Sequence, residues 1–290
     1  MGLGYQIDDR FSFDYDLWFI DTNTPGLRGP KLVLGDQDYW SFSGAAQTFG
    51  RFSQQTYSHL LHEWSGTPCL NLGVSGAGPE FYLERENLLR LVEGSDAHFL
   101  QIMSGRSVSA GVFQTGSNNG VLTFTKGPQK GETMMAAVAY ATLRREYGAE
   151  AYAEQISAVQ KRWVELYKEL LTVCRKNTYL IWMSKCVPDE IAGTFSEQSA
   201  VGEFPHFITR EVVDQLSSDT VSIIDCTFRS SFPQPIRSMS SGMLSNSWTE
   251  AKHPNRPDHL RAFNVYYPNT EQHVFTAKRI FRHLMRNETS

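Results

Sequence analysis

The chain has 290 residues, 41% apolar, 12% aromatic and 20% charged, with 27 Lys and Arg against 31 Asp and Glu for a net charge of −4. This composition supplies one large or two small domains with an ordinary buried core, and it excludes global disorder. The mild acidity excludes a general nucleic-acid binder, which needs a basic excess, and no run approaches the ~18 apolar residues of a membrane span. Residues 1–16 (MGLGYQIDDRFSFDYD) are acidic, unlike a signal peptide. Cys69, Cys174, Cys186 and Cys226 are scattered without CxxC spacing, which reads as reduced thiols of a cytosolic protein.

Residues 1–38 carry aromatics and the turn signals Thr24-Pro25-Gly26 and Arg28-Gly29-Pro30, and read as an irregular N-terminal wrap with about one hairpin. From Tyr39 to the C-terminus, 39–290, the pattern is that of a single domain. Tyr39–Ser43 is a short apolar run ending at Gly44, as a buried strand would. A helix follows over Thr56–Trp64, with Tyr57, Leu60, Leu61 and Trp64 on one face. The rhythm repeats: strand Cys69–Leu72, glycine loop Gly73–Pro79, helix Glu80–Val92, strand Ala97–Met103 and polar loop Ser104–Ala110. Tyr179–Met183 and Val221–Cys226 are further strands, and strands alternating with helices argue for a parallel sheet of about five strands covered on both faces.

Between the third and fourth strands lies a helical insertion, about 131–176, with helices Thr133–Tyr147 and Ala149–Arg175 separated at Gly148. Its apolar residues, Tyr152 through Val173, recur at spacings of three and four, as in a helical pair packed on the sheet. Residues 227–257 lack regular pattern and suit a long loop or lid. A last helix over Glu271–Met285 closes the chain.

Ligands of an open parallel sheet bind outside the carboxyl ends of its strands. The loop after the first strand, Gly44 to Arg51, places Gly44 and Gly50 around small residues, where a ligand can approach the backbone and where helix-start amides and the Arg51 side chain can accept an anion. The second loop carries three glycines around Gly76, the bare amides of an oxyanion hole or phosphate cradle. The third, Ser104–Ser109, adds the Arg106 guanidinium and the Ser107 hydroxyl for a carboxylate, phosphate or sulfate. Each loop also has a purely structural reading, as a tight turn or an ion-paired arginine. Of the eight histidines, His59, His62 and His283 read as helix-surface or packing residues and His98 as a strand residue. His273, in the loop opening the last helix, is the acid/base candidate, against a capping or packing role. No cluster has metal-ligand spacing.

These loops resemble the block pattern of SGNH/GDSL-type hydrolases. Gly44-Ala45-Ala46-Gln47-Thr48-Phe49-Gly50 stands where that family has Gly-Asp-Ser-x-Thr-x-Gly. Gly76 stands at its oxyanion-hole glycine, Ser104-Gly105-Arg106-Ser107 near its Gly-x-Asn-Asp, and Thr270-Glu271-Gln272-His273 at its Asp-x-x-His. The order of segments, with Arg28-Gly29-Pro30, Gly44–Phe52, Leu70–Phe81, Gln101–Ser109 and Tyr267-Pro268, is similar to an uncharacterised bacterial family known only as a domain of unknown function. The resemblance implies an α/β three-layer sandwich with a mostly parallel, flavodoxin-like or SGNH-like sheet. It also implies that Ala46 occupies the position of the serine nucleophile, so the usual serine-esterase mechanism fails.

Three activities remain from the sequence. One is direct transfer of a sulfuryl or acyl group from an anionic donor of nucleotide or coenzyme A type to a glycan hydroxyl, with Arg106 and the glycine loops holding the donor and His273 as base. A second is an esterase with a displaced serine such as Ser43, Ser75 or Ser107. The third is a non-catalytic saccharide- or anion-binding protein. The partner in each is a small molecule or saccharide. The sequence sets neither a cofactor nor an oligomeric state, and the expected location is cytoplasmic.

Overall fold

The computed structural model describes residues 9, 13–35, 37–116, 120–173, 176–196, 199–218, 221–229, 233–238, 241–244 and 262–287. In chain order the first elements are β1 (Trp40–Ser43), α1 (Ala46–Phe49), α2 (Tyr57–Ser65), β2 (Cys69–Asn71), α3 (Pro79–Leu83), α4 (Glu86–Glu93) and β3 (Ala97–Gln101). Then come β4 (Phe113–Thr115), β5 (Val121–Phe124), β6 (Thr133–Met135), α5 (Ala136–Leu171) and β7 (Asn177–Trp182). The chain closes with α6 (Arg210–Asp214), β8 (Val221–Asp225), β9 (Gln234–Pro235), β10 (Phe263–Asn264) and α7 (Thr270–Asn287).

The central sheet has the order β2-β1-β3-β7-β8 and every pair in it is parallel. This is the flavodoxin-like 2-1-3-4-5 order, with its switch point between β1 and β3. Successive strand residues alternate between two cores. On one face Leu70, Leu100 and Leu180 pack with Trp163, Leu166 and Leu170 of α5 and with Leu88 and Val92 of α4. On the other, Phe42, Phe99 and Tyr179 pack with Tyr57 and Leu61 of α2 and with Ala277 and Ile280 of α7. Phe42 and Phe99 stack at 4.7 Å, and Phe99 and Tyr179 at 5.1 Å, so an aromatic ladder ties β1, β3 and β7 together.

Two elements differ from the sequence expectation. The helix expected over Glu80–Val92 is two helices, because Arg85 leaves helical geometry (φ −127°, ψ 86°) and its Nη1 folds back onto the Phe81 carbonyl at 2.8 Å. Thr133–Met135, expected as helix, is the edge strand of an antiparallel sheet β4-β5-β6. That sheet buries Phe113, Leu122 and Phe124 against Tyr140 and Leu143 of α5. Gly148 interrupts α5 with φ 90° and ψ 175°, the position at which the sequence separates the two helices.

Arg28 pins the N-terminal wrap. Its Nη1 donates to the carbonyl of Gly50 at 3.1 Å and its Nη2 to those of Ser53 and Gln54 at 2.8 Å each, with the guanidinium over the Tyr15 ring. Among the described residues no helix is long and apolar enough to cross a membrane, and Cys69, Cys186 and Cys226 are unpaired. Cys174 and most of the irregular segment, with His253 and His259, lie outside the described residues.

Candidate functional site at the carboxyl edge of the sheet

The turn after β1 leads into α1, the helix that carries the serine in the resembling hydrolases. Ala46, which the sequence resemblance sets at the position of that serine, is buried. Three amides of this turn, of Gly44, Ala45 and Thr48, are already occupied. Gln101, the last residue of β3, brings its Oε1 to 3.0 Å from the Ala45 amide, 3.2 Å from the Thr48 amide and 2.7 Å from the Thr48 hydroxyl, and accepts from all three. Thr48 Oγ1 in turn accepts from the Tyr57 hydroxyl at 3.0 Å. On the other side Tyr82 Oη accepts the Gly44 amide at 2.9 Å and donates to the Gly44 carbonyl at 2.6 Å. Gly44 has no room for a side chain, since a Cβ there would lie 2.2 Å from Thr48 Oγ1. Ser43, the nearest hydroxyl, is buried without a hydrogen-bond partner.

Gly50 is the left-handed C-cap of α1 (φ 78°). Arg51, expected to take an anion, instead binds the chain's own Asp9. Its Nε lies 2.8 Å from Asp9 Oδ2 and its Nη2 3.1 Å from Oδ1, a buried bidentate pair, and its Nη1 donates to Tyr267 Oη at 3.1 Å. Every edge of the guanidinium is used, which removes Arg51 from the ligand site.

His273 is in the first turn of α7 rather than in the loop, with the Asn269 side chain capping the helix through the Gln272 amide at 2.9 Å. The imidazole is 0% exposed, stacks on the Tyr57 ring and accepts the Tyr57 amide through Nδ1 at 3.3 Å. Burial, and secondly the Arg28 cation, push its pKa down to about 3. A sealed, neutral ring does not reach a substrate proton, so the geometry assigns His273 to packing.

Arg106 lies in the single 3₁₀ turn Gly105–Ser107 after β3, its amide capped by Ser104 Oγ at 3.2 Å. Its guanidinium sits beside the Tyr266 hydroxyl and His206, and its Nε is buried without a partner. His206, not among the candidates read from the sequence, is buried with Nδ1 2.8 Å from Ser104 Oγ, and burial together with Arg106 holds it neutral.

Two cavities open along this edge. A narrow slot of about 20 Å³, room for about one water, is lined by Gln47, Ser184, Lys185, Glu203, Tyr266 and Gln272. Lys185 is half-buried there, donates to the Val265 carbonyl at 3.0 Å, and has its pKa lowered by burial against the opposing pull of Glu203. The larger cavity, about 260 Å³, joins the glycine loop after β2 to the loop after β3. Gly76 (φ 76°) and Gly78 form one side, Ser109, Gln114 and Thr115 the other, with Glu80, Glu84 and Arg85 between. Glu80 Oε2 is fixed by the Ser109 amide at 3.1 Å and the Thr115 hydroxyl at 3.4 Å, while Arg85 stacks 3.9 Å over Phe81. The three loops and His273, each placed after a strand by the sequence, do not share one cleft. Gly76 and Ser109 meet in the larger cavity with Arg85, Gln47 and Gln272 meet in the slot, and Arg51 and His273 are in neither.

With the geometry in place, comparison with known proteins adds one family. Residues 4–116 match the family described as domain of unknown function (DUF6473). The likeness to a domain-of-unknown-function family read from the sequence holds over this stretch, which contains the β1 turn, the Gly76 loop and the Arg106 turn. Among curated proteins none matches the chain. Solved structures similar to it include a carbohydrate esterase family 2 enzyme with a carbohydrate-binding domain from Corynascus thermopiles (Myceliophthora fergusii), at 11% identity and TM-score 0.44, covering 91% of this chain and 70% of that one. An acetylxylan esterase from Geobacillus stearothermophilus aligns at 12% identity and TM-score 0.40, covering 86% of this chain and 94% of that one. A protein from Lactobacillus plantarum aligns at 13% identity and TM-score 0.40, covering 86% and 97%.

Proposed function

We propose that this chain is a saccharide-binding protein on a hydrolase-like SGNH scaffold, holding a neutral, hydroxyl-rich ligand in the cavity under the Gly76 loop. The observation that carries the reading is the lining of that 260 Å³ cavity: two carboxylates, a guanidinium, an amide and hydroxyls around bare glycine backbone. Sugar hydroxyls both donate and accept, so they satisfy Glu84 and Arg85 at once, whereas Glu80 and Glu84 beside Gly76 repel a phosphate or sulfate. Covalent ester chemistry has no support in the β1 turn, where Ala46 replaces the nucleophile and Gln101 fills the amides.

The test is saturation-transfer NMR and calorimetry with a panel of neutral mono- and disaccharides beside glucuronate and a sulfated sugar. Neutral sugars are expected to bind, the charged ones more weakly, and Gln114→Ala to weaken binding by about tenfold through one lost polar contact. Absence of transfer to every neutral sugar, or unchanged affinity in Gln114→Ala and Glu84→Gln, rejects the reading.

A second reading, direct transfer from an anionic donor, is favoured by the buried, unpartnered Nε–H of Arg106. Its donor would lie against Arg106 and Tyr266, with Lys185 in place of His273 as the proton acceptor. Stabilisation of the wild-type chain by ADP or coenzyme A, lost in Arg106→Gln, would support this reading over binding alone.

A further inference from the structure

A third cavity, about 440 Å³, lies away from the carboxyl edge, between the antiparallel sheet and the bend of α5. Val112 and Phe124 of the sheet region face Leu143 from the first half of the helix and Ala151 and Ala158 from the second. The space has two local causes. Gly148 breaks the helix and splays its halves, and alanine at 151 and 158, seven residues apart on one helical face, leaves the gap between helix and sheet unfilled. Tyr147 covers one end, its hydroxyl close against Gly127, where a Cβ would come within 2.9 Å.

We propose that this cavity binds a small amphiphile, an acyl chain or aromatic body carrying one carboxylate. The size falls within the roughly 300–1,000 Å³ of small-molecule sites, and the apolar walls select a hydrocarbon body. The head group follows from charge. Lys126, exposed on the turn after β5, is at the sheet rim and makes no ion pair among the described residues. Glu154 sits on the helix rim and repels an anion placed beside it, so the carboxylate docks at Lys126 with the tail running toward Leu143. This cavity shares no lining residue with the one under the Gly76 loop, so the two bind independently.

The experiment uses the full chain and 1-anilinonaphthalene-8-sulfonate, an anionic head on an apolar ring system. Saturable one-to-one fluorescence enhancement is expected, displaced by decanoate and much less by decylamine. Lys126→Ala, a surface change that leaves the core intact, is expected to weaken decanoate by about tenfold, the scale of one charge-assisted contact, and to leave decanol unchanged. Ala151→Trp fills the cavity and is expected to abolish enhancement with the fold retained by circular dichroism. No saturable enhancement, equal displacement by decylamine, or full binding in both variants overturns the proposal. So does emission that falls with dilution of a self-associating chain and resists decanoate, which assigns the cavity to a second copy.

Discussion

The side-chain carbonyl of Gln101, at the end of β3, accepts the hydroxyl of Thr48, in the helix after β1, at 2.7 Å. This bond crosses the switch point of the sheet and, with the Ala45 and Thr48 amides on the same oxygen, closes the one helix start at which the resembling hydrolases do chemistry. Gln101→Met keeps the volume and removes the acceptor, leaving three buried donors unsatisfied. We expect a loss of about 3 kcal/mol or more, read as a shift of the urea midpoint. The same closure predicts no turnover of nitrophenyl acetate above background, and a Ser43→Ala variant indistinguishable from wild type. Turnover that disappears in Ser43→Ala would establish a displaced nucleophile.

Arg51 and Asp9 form a buried ion pair that joins the N-terminal wrap to the first turn. Removing one partner leaves the other charge uncompensated, so Arg51→Met is expected to cost about 3–5 kcal/mol, and Arg51→Met with Asp9→Leu to cost less than either single change. Denaturant unfolding of the two singles and the double tests this, and additive losses would contradict the pairing.

Three imidazoles set an acid limit on stability. Burial holds His273 and His98 at about 3, and burial with Arg106 holds His206 well below its ordinary 6.5. Between those values and 6.5 the unfolded chain binds protons that the folded chain refuses. Stability is therefore complete above about pH 6.5 and falls as the pH drops, by up to about 1.4 kcal/mol per pH unit for each histidine. Urea midpoints at about pH 7 and about pH 5 measure the slope. A flat profile would mean that the rings open to solvent.

Gly44→Ala puts a methyl 2.2 Å from Thr48 Oγ1 and 2.4 Å from Gln101 Oε1. The expected cost is about 1–3 kcal/mol by overpacking, whereas Gly35→Ala, with nothing within 4 Å, is expected to be neutral. Thermal unfolding of both variants gives the comparison.

The parallel sheet was legible in the sequence because Tyr39–Ser43, Ala97–Met103 and Tyr179–Met183 carry apolar residues on both faces, as covered strands do. The antiparallel sheet was not, although Leu122 and Phe124 alternate with Val121 and Thr123 in period two, because four residues are too few to outweigh the glycine-rich surroundings. The start of α7 is set by the Asn269 side chain, which accepts the Gln272 amide and places His273 inside the helix, a cap that the reading of His273 as a loop residue does not contain. The partners of Gln101 and Arg51 are 53 and 42 residues distant, and no local pattern marks a side chain that reaches so far. Buried acceptors and ion pairs of this kind decide whether a glycine loop is a site or a packed turn.

The Arg28 clamp bears on how the molecule can be divided. Three carbonyls of the first turn, from Gly50, Ser53 and Gln54, accept from one guanidinium contributed by the irregular N-terminal stretch. A shortened gene beginning at the first strand would keep the whole sheet on paper and remove that guanidinium from all three, together with the Asp9 counter-charge of Arg51. The practical boundary of this fold therefore lies upstream of its regular structure. Residues without helix or strand act here as a strap, and trimming them for crystallisation or fusion would loosen the turn after the first strand at the carboxyl edge of the sheet.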